Sequence, residues 1–78
     1  MTNIEKYNSA FIEIFVTVAD ALAELTYQSI AEWDSVGHMR LMADIEGKFD
    51  VMLDTEDIVD FSSYEKGKEI LKKYGIEI

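Results

Sequence analysis

Residues 34–49, "DSVGHMRLMADIEGKF", decide how the rest of the chain is read. Val36, Met39, Met42, Ile45 and Phe49 recur at spacings of three and four, with Leu41 alongside, and predict an amphipathic helix. Asp34 stands just before that pattern, where its carboxylate can accept a first-turn amide hydrogen, a cap worth about 1 kcal/mol. Capping accounts for the aspartate. It does not account for Ser35, since any small residue would serve in the first turn.

Working outward, Ile4, Tyr7, Phe11, Ile14, Phe15 and Val18 mark one face of a first helix, expected from about Asn3 to Ala19. From about Asp20 to Asp34 the pattern loosens. Leu25, Tyr27, Ile30 and Trp33 are scattered without a helical period and predict a long loop pinned by its apolar side chains. A loop of that length is uncommon in a small domain unless it serves a function. Beyond the central helix, Leu53, Ile58 and Phe61 accompany a short helix at about Thr55 to Val59. Residues 62–75, "SSYEKGKEILKKYG", open with an expected capping box between Ser62 and Glu65. Tyr64, Ile70, Leu71 and Tyr74 supply its apolar face, lysines crowd the last turn, and Gly75 offers a left-handed stop. No strand-like alternation or internal repeat is present. The expected fold is all-α, a small helical bundle of three main helices plus one short helix, forming a single domain over residues 1–78.

Composition narrows the function. A chain of 78 residues leaves little room for a deep, water-excluding active site. It contains no cysteine, which removes disulfide stapling and thiolate metal sites. Met1 leads into polar residues rather than a basic and then apolar run, so no signal peptide is expected. The apolar stretches are too short to span a bilayer. The expected compartment is the cytoplasm, with no membrane partner.

The net charge of −9 argues against nucleic acid and for basic protein surfaces. Asp50, Asp54, Glu56, Asp57 and Asp60 form an acidic block for which partner docking is open, and Lys66, Lys68, Lys72 and Lys73 read as a solvated face. A calcium loop across Asp54 to Glu65 fails, because Ile58 stands at a ligand position and Val59 where glycine is needed. No metal site is expected.

Three readings of Ser35 remain. It can be an ordinary first-turn residue behind the Asp34 cap. It can be a nucleophile activated by His38, three positions on, but no strand-to-helix elbow or oxyanion hole is evident. It can instead carry a modification. A phosphodiester there would face unpaired N–H groups and the positive end of the helix dipole.

The run 34–49 resembles the acyl carrier protein family, whose signature is Asp-Ser-Leu at the start of the second helix. Glu46 and Phe49 match the family's mid-helix glutamate and its phenylalanine near the helix end. The order of long helix, long loop, second helix, short helix and final helix is similar over essentially the whole chain. "WDSVGHMRL", residues 33–41, looks especially like stand-alone carriers with Trp-Asp-Ser-Leu-Gly-His at this place.

The resemblance implies that Ser35 carries 4'-phosphopantetheine, transferred from coenzyme A by a phosphopantetheinyl transferase, with Asp34 and Val36 as the supporting motif. The arm's thiol would hold an acyl or aminoacyl group as a thioester, with acyl favoured, so the chain is a carrier and not an enzyme. The implied partners are an acyl- or aminoacyl-adenylating ligase and acyltransferase or synthase enzymes with basic docking patches, bound weakly and in a salt-sensitive way. Docking is expected at Met39, Arg40, Ala43, Asp44 and Glu46. An acyl cleft is expected between the second and third helices, lined by Val36, Leu41, Phe49, Ile58 and Phe61.

Val36 replaces the usual leucine. Gly37 and Arg40 stand where carriers of fatty-acid synthesis often have acids, and Gly47 and Lys48 dilute that face further. These departures favour a specialised pathway, and a monomer is the simplest working form. The rival from another class is an unmodified acidic interaction domain using residues 50–60, indifferent to replacement of Ser35.

Overall fold

Thr2 opens the first helix. In the computed structural model, which describes residues 1–78, Thr2 Oγ1 accepts the Glu5 amide at 3.3 Å and Glu5 Oε1 accepts the Thr2 amide at 2.9 Å. Each side chain thus satisfies a backbone donor of the other. The helix that follows, α1, spans Asn3–Phe15 and buries Tyr7, Ala10, Phe11 and Phe15.

The helix stops at Phe15 rather than near Ala19. Val16 adopts a left-handed C-cap with φ 50°, and the expected stripe residue Val18 is exposed. Val16, Thr17 and Val18 are all β-branched and carry a helix poorly. Continuing it through Val18 would bury nothing.

The expected loop is partly helical. A 3-10 helix covers Ala19–Glu24, and the buried Leu22 lies one three-residue turn before the buried Leu25, its C-cap. The second helix, α2, spans Ser35–Phe49, the short α3 spans Thr55–Asp60, and α4 spans Tyr64–Lys72. The architecture is an all-α bundle of three main helices and one short one. Its nearest approach to a sheet is an isolated antiparallel bridge between Thr26 and Ser63. No helix is long and apolar enough to cross a membrane.

That bridge explains a shifted cap. Leu25 carbonyl accepts the Tyr64 amide at 3.0 Å and Ser62 carbonyl accepts the Tyr27 amide at 2.8 Å, which hold 62–63 extended. The N-cap of α4 is therefore Ser63, whose Oγ accepts the Lys66 amide at 2.9 Å, and the expected Ser62–Glu65 box does not form. Glu65 pairs with Lys68 at 3.7 Å instead. Past the helix, Gly75 takes the left-handed conformation at φ 81°.

The core is aromatic. Phe11 meets Trp33 edge-on at 5.7 Å between centroids and Tyr64 at 5.3 Å, and Phe15 stacks on Trp33 at 5.2 Å. Each such pair adds about 0.5–1.5 kcal/mol beyond its buried area. The buried Tyr7 hydroxyl donates to the Tyr64 carbonyl at 2.6 Å, and burial pushes its phenol above the usual tyrosine range. Tyr64 in turn donates to Asn8 Oδ1 at 2.5 Å.

Gly67 lets α4 approach this cluster. A Cβ there would stand 2.1 Å from Tyr7 Oη and 2.2 Å from Phe61 Cζ, whereas one at Gly47 would meet nothing. Gly67→Ala is expected to lose about 1–3 kcal/mol to overpacking, outweighing its gain in helix propensity. Gly47→Ala should gain about 0.5–1 kcal/mol. Urea unfolding of both variants checks the pair. A Gly67→Ala midpoint at or above that of the native chain would refute the packing argument.

The acidic block is not uniformly solvated. Asp57 is buried, with Oδ1 accepting from Lys73 Nζ at 2.5 Å and Oδ2 from the Tyr74 hydroxyl at 2.5 Å. Tyr74 Oη also accepts the Asp54 amide at 2.9 Å. These bonds fasten α3 to the end of α4, so Lys73 is a structural partner and not just part of a solvated face.

The Lys73 ammonium, then the Tyr74 hydroxyl, hold the Asp57 carboxyl below its ordinary range. A depressed folded-state value gives stability that is present above about pH 3.9, the unfolded value, and fades as pH falls through the lower folded one. In Asp57→Asn that acid-side contribution should be absent. Denaturant midpoints measured from pH 7 down to pH 2 should fall less steeply for the variant, and parallel curves would overturn the assignment.

Candidate functional site

The loop between Leu25 and Asp34 delivers the site. The Thr26 amide donates to Ser29 Oγ at 3.0 Å, and the Gln28 amide donates to the Trp33 carbonyl at 2.9 Å. Trp33 is fully buried between α1 and α2. Its anchoring sets where the next residue, Asp34, enters α2.

Asp34 is the N-cap, with Oδ1 accepting the Gly37 amide at 2.8 Å, and its carbonyl accepts the His38 amide at 2.8 Å. Of the first-turn donors, the Ser35 and Val36 amides have no protein acceptor. Ser35 is the first residue of α2 and is exposed. A hydroxyl in this position, beside two free N–H groups and the positive helix end, suits a phosphodiester. The residues present therefore fit a phosphate-bearing group on Ser35.

Gly37 has a specific task here. A Cβ on it would lie 1.9 Å from the Glu32 carbonyl oxygen, so only glycine lets the incoming loop lie against the first turn. The signal in the sequence is a glycine within an otherwise sound helical pattern, which costs stability unless packing needs it.

Val36 and Met39 were expected on the buried stripe of α2. They point outward, 67% and 55% exposed. The inward face instead carries His38, Leu41, Met42, Ile45 and Phe49, of which Leu41, Met42 and Ile45 are buried. That set also follows a helical period, with a histidine at its head.

His38 is not a free surface histidine. Trp33 Nε1–H donates to its Nδ1 at 2.9 Å, and its Nε2 lies 2.7 Å from the Ile58 carbonyl. A tryptophan N–H can only donate and a carbonyl can only accept, so the ring is the tautomer with hydrogen on Nε2. This strut ties the loop, α2 and α3 together. With both nitrogens engaged, His38 has none left to activate Ser35, and the nucleophile reading loses its base.

Beside Ser35 lies a cavity of about 330 Å³. From α2 it is lined by Ser35, His38 and Met39, and from α3 by Ile58 and Val59. Phe61 and Ser62, just past α3, and Tyr27 from the loop complete it. Of the expected cleft residues, Ile58 and Phe61 line this space. Leu41 lies in the core, and Phe49 sits at the far end of α2, with Lys6 Nζ 6.0 Å from its ring. Val36 is out on the surface. Tyr27, Val59 and Ser62 were missed, and Met39 was expected for docking rather than for this lining, because their approach depends on the path of the chain.

The residues expected to dock partners are spread. Met39, Arg40 and Ala43 are exposed on α2. Asp44 is half-buried, 3.3 Å from Lys48 Nζ, which also reaches Glu13 at 3.0 Å. The Glu13 hydrogen bond first, and the nearby Asp44 carboxylate with it, raises the Lys48 ammonium above its ordinary range. Asp44 Oδ2 has this ion pair but no aligned hydrogen bond. Glu46 turns to the following segment, where Oε2 accepts the Leu53 amide at 2.8 Å. No cluster of His, Asp and Glu side chains has a metal-holding arrangement.

No family model matches the chain, and no curated protein or solved structure matches it either.

Proposed function

We propose that the protein is an acyl carrier, modified on Ser35 with 4'-phosphopantetheine and passing an acyl thioester between enzymes of a specialised biosynthetic pathway. One observation carries the reading: an exposed serine hydroxyl at the first position of α2, beside two unpaired amide donors, opens on an apolar cavity. The resemblance of residues 33–49 to carrier proteins adds to it.

In the attachment step Ser35 Oγ attacks the phosphorus on the pantetheine side of the coenzyme A pyrophosphate. An O–P bond forms, the bridging P–O bond breaks, and 3',5'-adenosine bisphosphate leaves. The hydroxyl proton passes to a base on the transferase, since His38 is engaged elsewhere. The Ser35 and Val36 amides, free of protein acceptors, would hold the phosphodiester, and the Asp34 cap keeps the first turn formed. The attached arm supplies a terminal thiol that holds the acyl group as a thioester. The chain performs no catalysis of its own.

Partner enzymes meet the exposed side of α2 at Met39, Arg40 and Ala43. Glu56 and Asp60, exposed on α3, supply acidity for basic patches. Asp44 and Glu46 act mainly inside the fold, through Lys48 and the Leu53 amide. The compartment in this reading is the cytoplasm.

The test is intact mass before and after incubation with coenzyme A and a broad-specificity phosphopantetheinyl transferase. The expected result is a gain of one phosphopantetheine. An unchanged mass, starting from unmodified protein, rejects the carrier reading in favour of an acidic binding domain.

A further inference from the structure

We propose that the Trp33–His38–Ile58 strut makes the cavity beside Ser35 a blind one and limits the load to a short, uncharged acyl group. The inference rests on the carrier reading and adds the class of substrate. It starts from what closes the cavity. Phe61 is fully buried, as are Trp33, which stacks on His38, and Leu41, one turn on from His38 along the inward face of α2. His38 stands between the cavity and that core, bonded on one side to the Trp33 indole and on the other to the Ile58 carbonyl. A chain passing between α2 and α3 into the bundle would have to part these bonds, leaving an indole N–H and a carbonyl without partners. A space of about 330 Å³ is at the small end for a ligand site, so its depth, and with it the length of chain it takes, is set by where the strut closes it.

The lining also selects chemistry. Five of the eight lining residues are apolar and none is an acid, a lysine or an arginine. The histidine nitrogens are both engaged. A carboxylate or ammonium on the load would lose water there without gaining an opposite charge, whereas a plain acyl chain would gain by burial. The arm is flexible enough to turn its thioester back toward the cavity.

The experiment loads the whole chain with butyryl- or octanoyl-phosphopantetheine from the matching acyl-coenzyme A, verifies each by mass, and compares the NMR signals of each, and of the unacylated holo form, with those of the unmodified chain. Butyryl is expected to shift the Met39, Ile58 and Val59 methyl signals while leaving the Trp33 indole N–H and Leu41 methyls in place. Octanoyl should add no shift at Trp33 or Leu41 in the native chain, but should do so in His38→Ala. His38→Gln, which can still accept from one side and donate to the other, should behave as the native chain does.

Octanoyl shifts at Trp33 and Leu41 in the native chain would overturn the proposal. So would the absence of butyryl shifts, or the same shifts from the unacylated arm alone. If His38→Ala fails to fold, the two acyl lengths on the native chain still decide. Failure to gain mass at all would remove the carrier reading, and this proposal with it.

Discussion

Ser35→Ala should gain no mass under conditions that convert the native chain fully, while its unfolding curve stays close to that of the native chain. The two halves of this result separate the readings of Ser35. Its side chain makes no hydrogen bond within the protein and is exposed, so the fold loses little when the oxygen is removed. Substitutions away from packed or bonded features usually stay within about 0.5 kcal/mol. The neighbouring Asp34 behaves oppositely. Its carboxylate bonds the Gly37 amide, and Asp34→Ala should lose about 1 kcal/mol. If Ser35→Ala were modified as the native chain is, the attachment point would be another hydroxyl, and the free amides at the start of α2 would have no role in it. If it unfolded readily, Ser35 would be a structural residue.

Trp33→Ala is expected to leave the chain largely unfolded at 25 °C. The indole is fully buried, contacts Phe11 and Phe15, and donates to His38. Replacing a buried tryptophan by alanine costs about 3–5 kcal/mol. A core of this size supplies a net stability of about 3–5 kcal/mol. The two amounts are comparable, so one substitution consumes the margin. Far-UV circular dichroism and a thermal melt would show the loss of both helicity and a cooperative transition. Trp33→Phe keeps much of the ring contact but not the N–H and should remain folded with a lower midpoint. A Trp33→Ala protein that melts cooperatively near the native temperature would mean that the core is organised around some other residue.

Trp33 and Ser35 are two residues apart, and the nearness has a functional consequence. The residue that anchors the loop also fixes the entry of α2, and through His38 it fixes the back wall of the cavity. Stability and site geometry are therefore coupled here. A substitution that loosens the indole should widen the cavity before it exposes the core.

Several features were legible in the sequence because they are local. The Asp34 cap lies within three residues of the amide it bonds, Gly75 ends α4 by its own conformational freedom, and the positions of α2, α3 and α4 follow from short-range periodicity. The end of α1 misled because an apolar period ran on into three β-branched residues that the fold leaves outside. The cap of α4 moved by one residue because the loop near Leu25 and Tyr27 bonds the chain on either side of Ser63. A local motif cannot foresee a partner that far away.

The sequence by itself determined an all-α chain with a serine at the head of its second helix. Tertiary structure decided which arc of that helix faces inward. Two arcs of α2 share Met42, Ile45 and Phe49, and periodicity cannot choose between them; packing against α1 buries the one headed by His38 and turns Val36 and Met39 outward. It also decided that Asp57 is a buried tie to Lys73 and Tyr74, and that His38 bridges Trp33 and Ile58. The reason is the same in each case. A helical repeat is set by bonds four residues apart, while these contacts join α2 to α1, to the loop and to α3, and α3 to the segment that ends α4, partners that only the packed chain brings together.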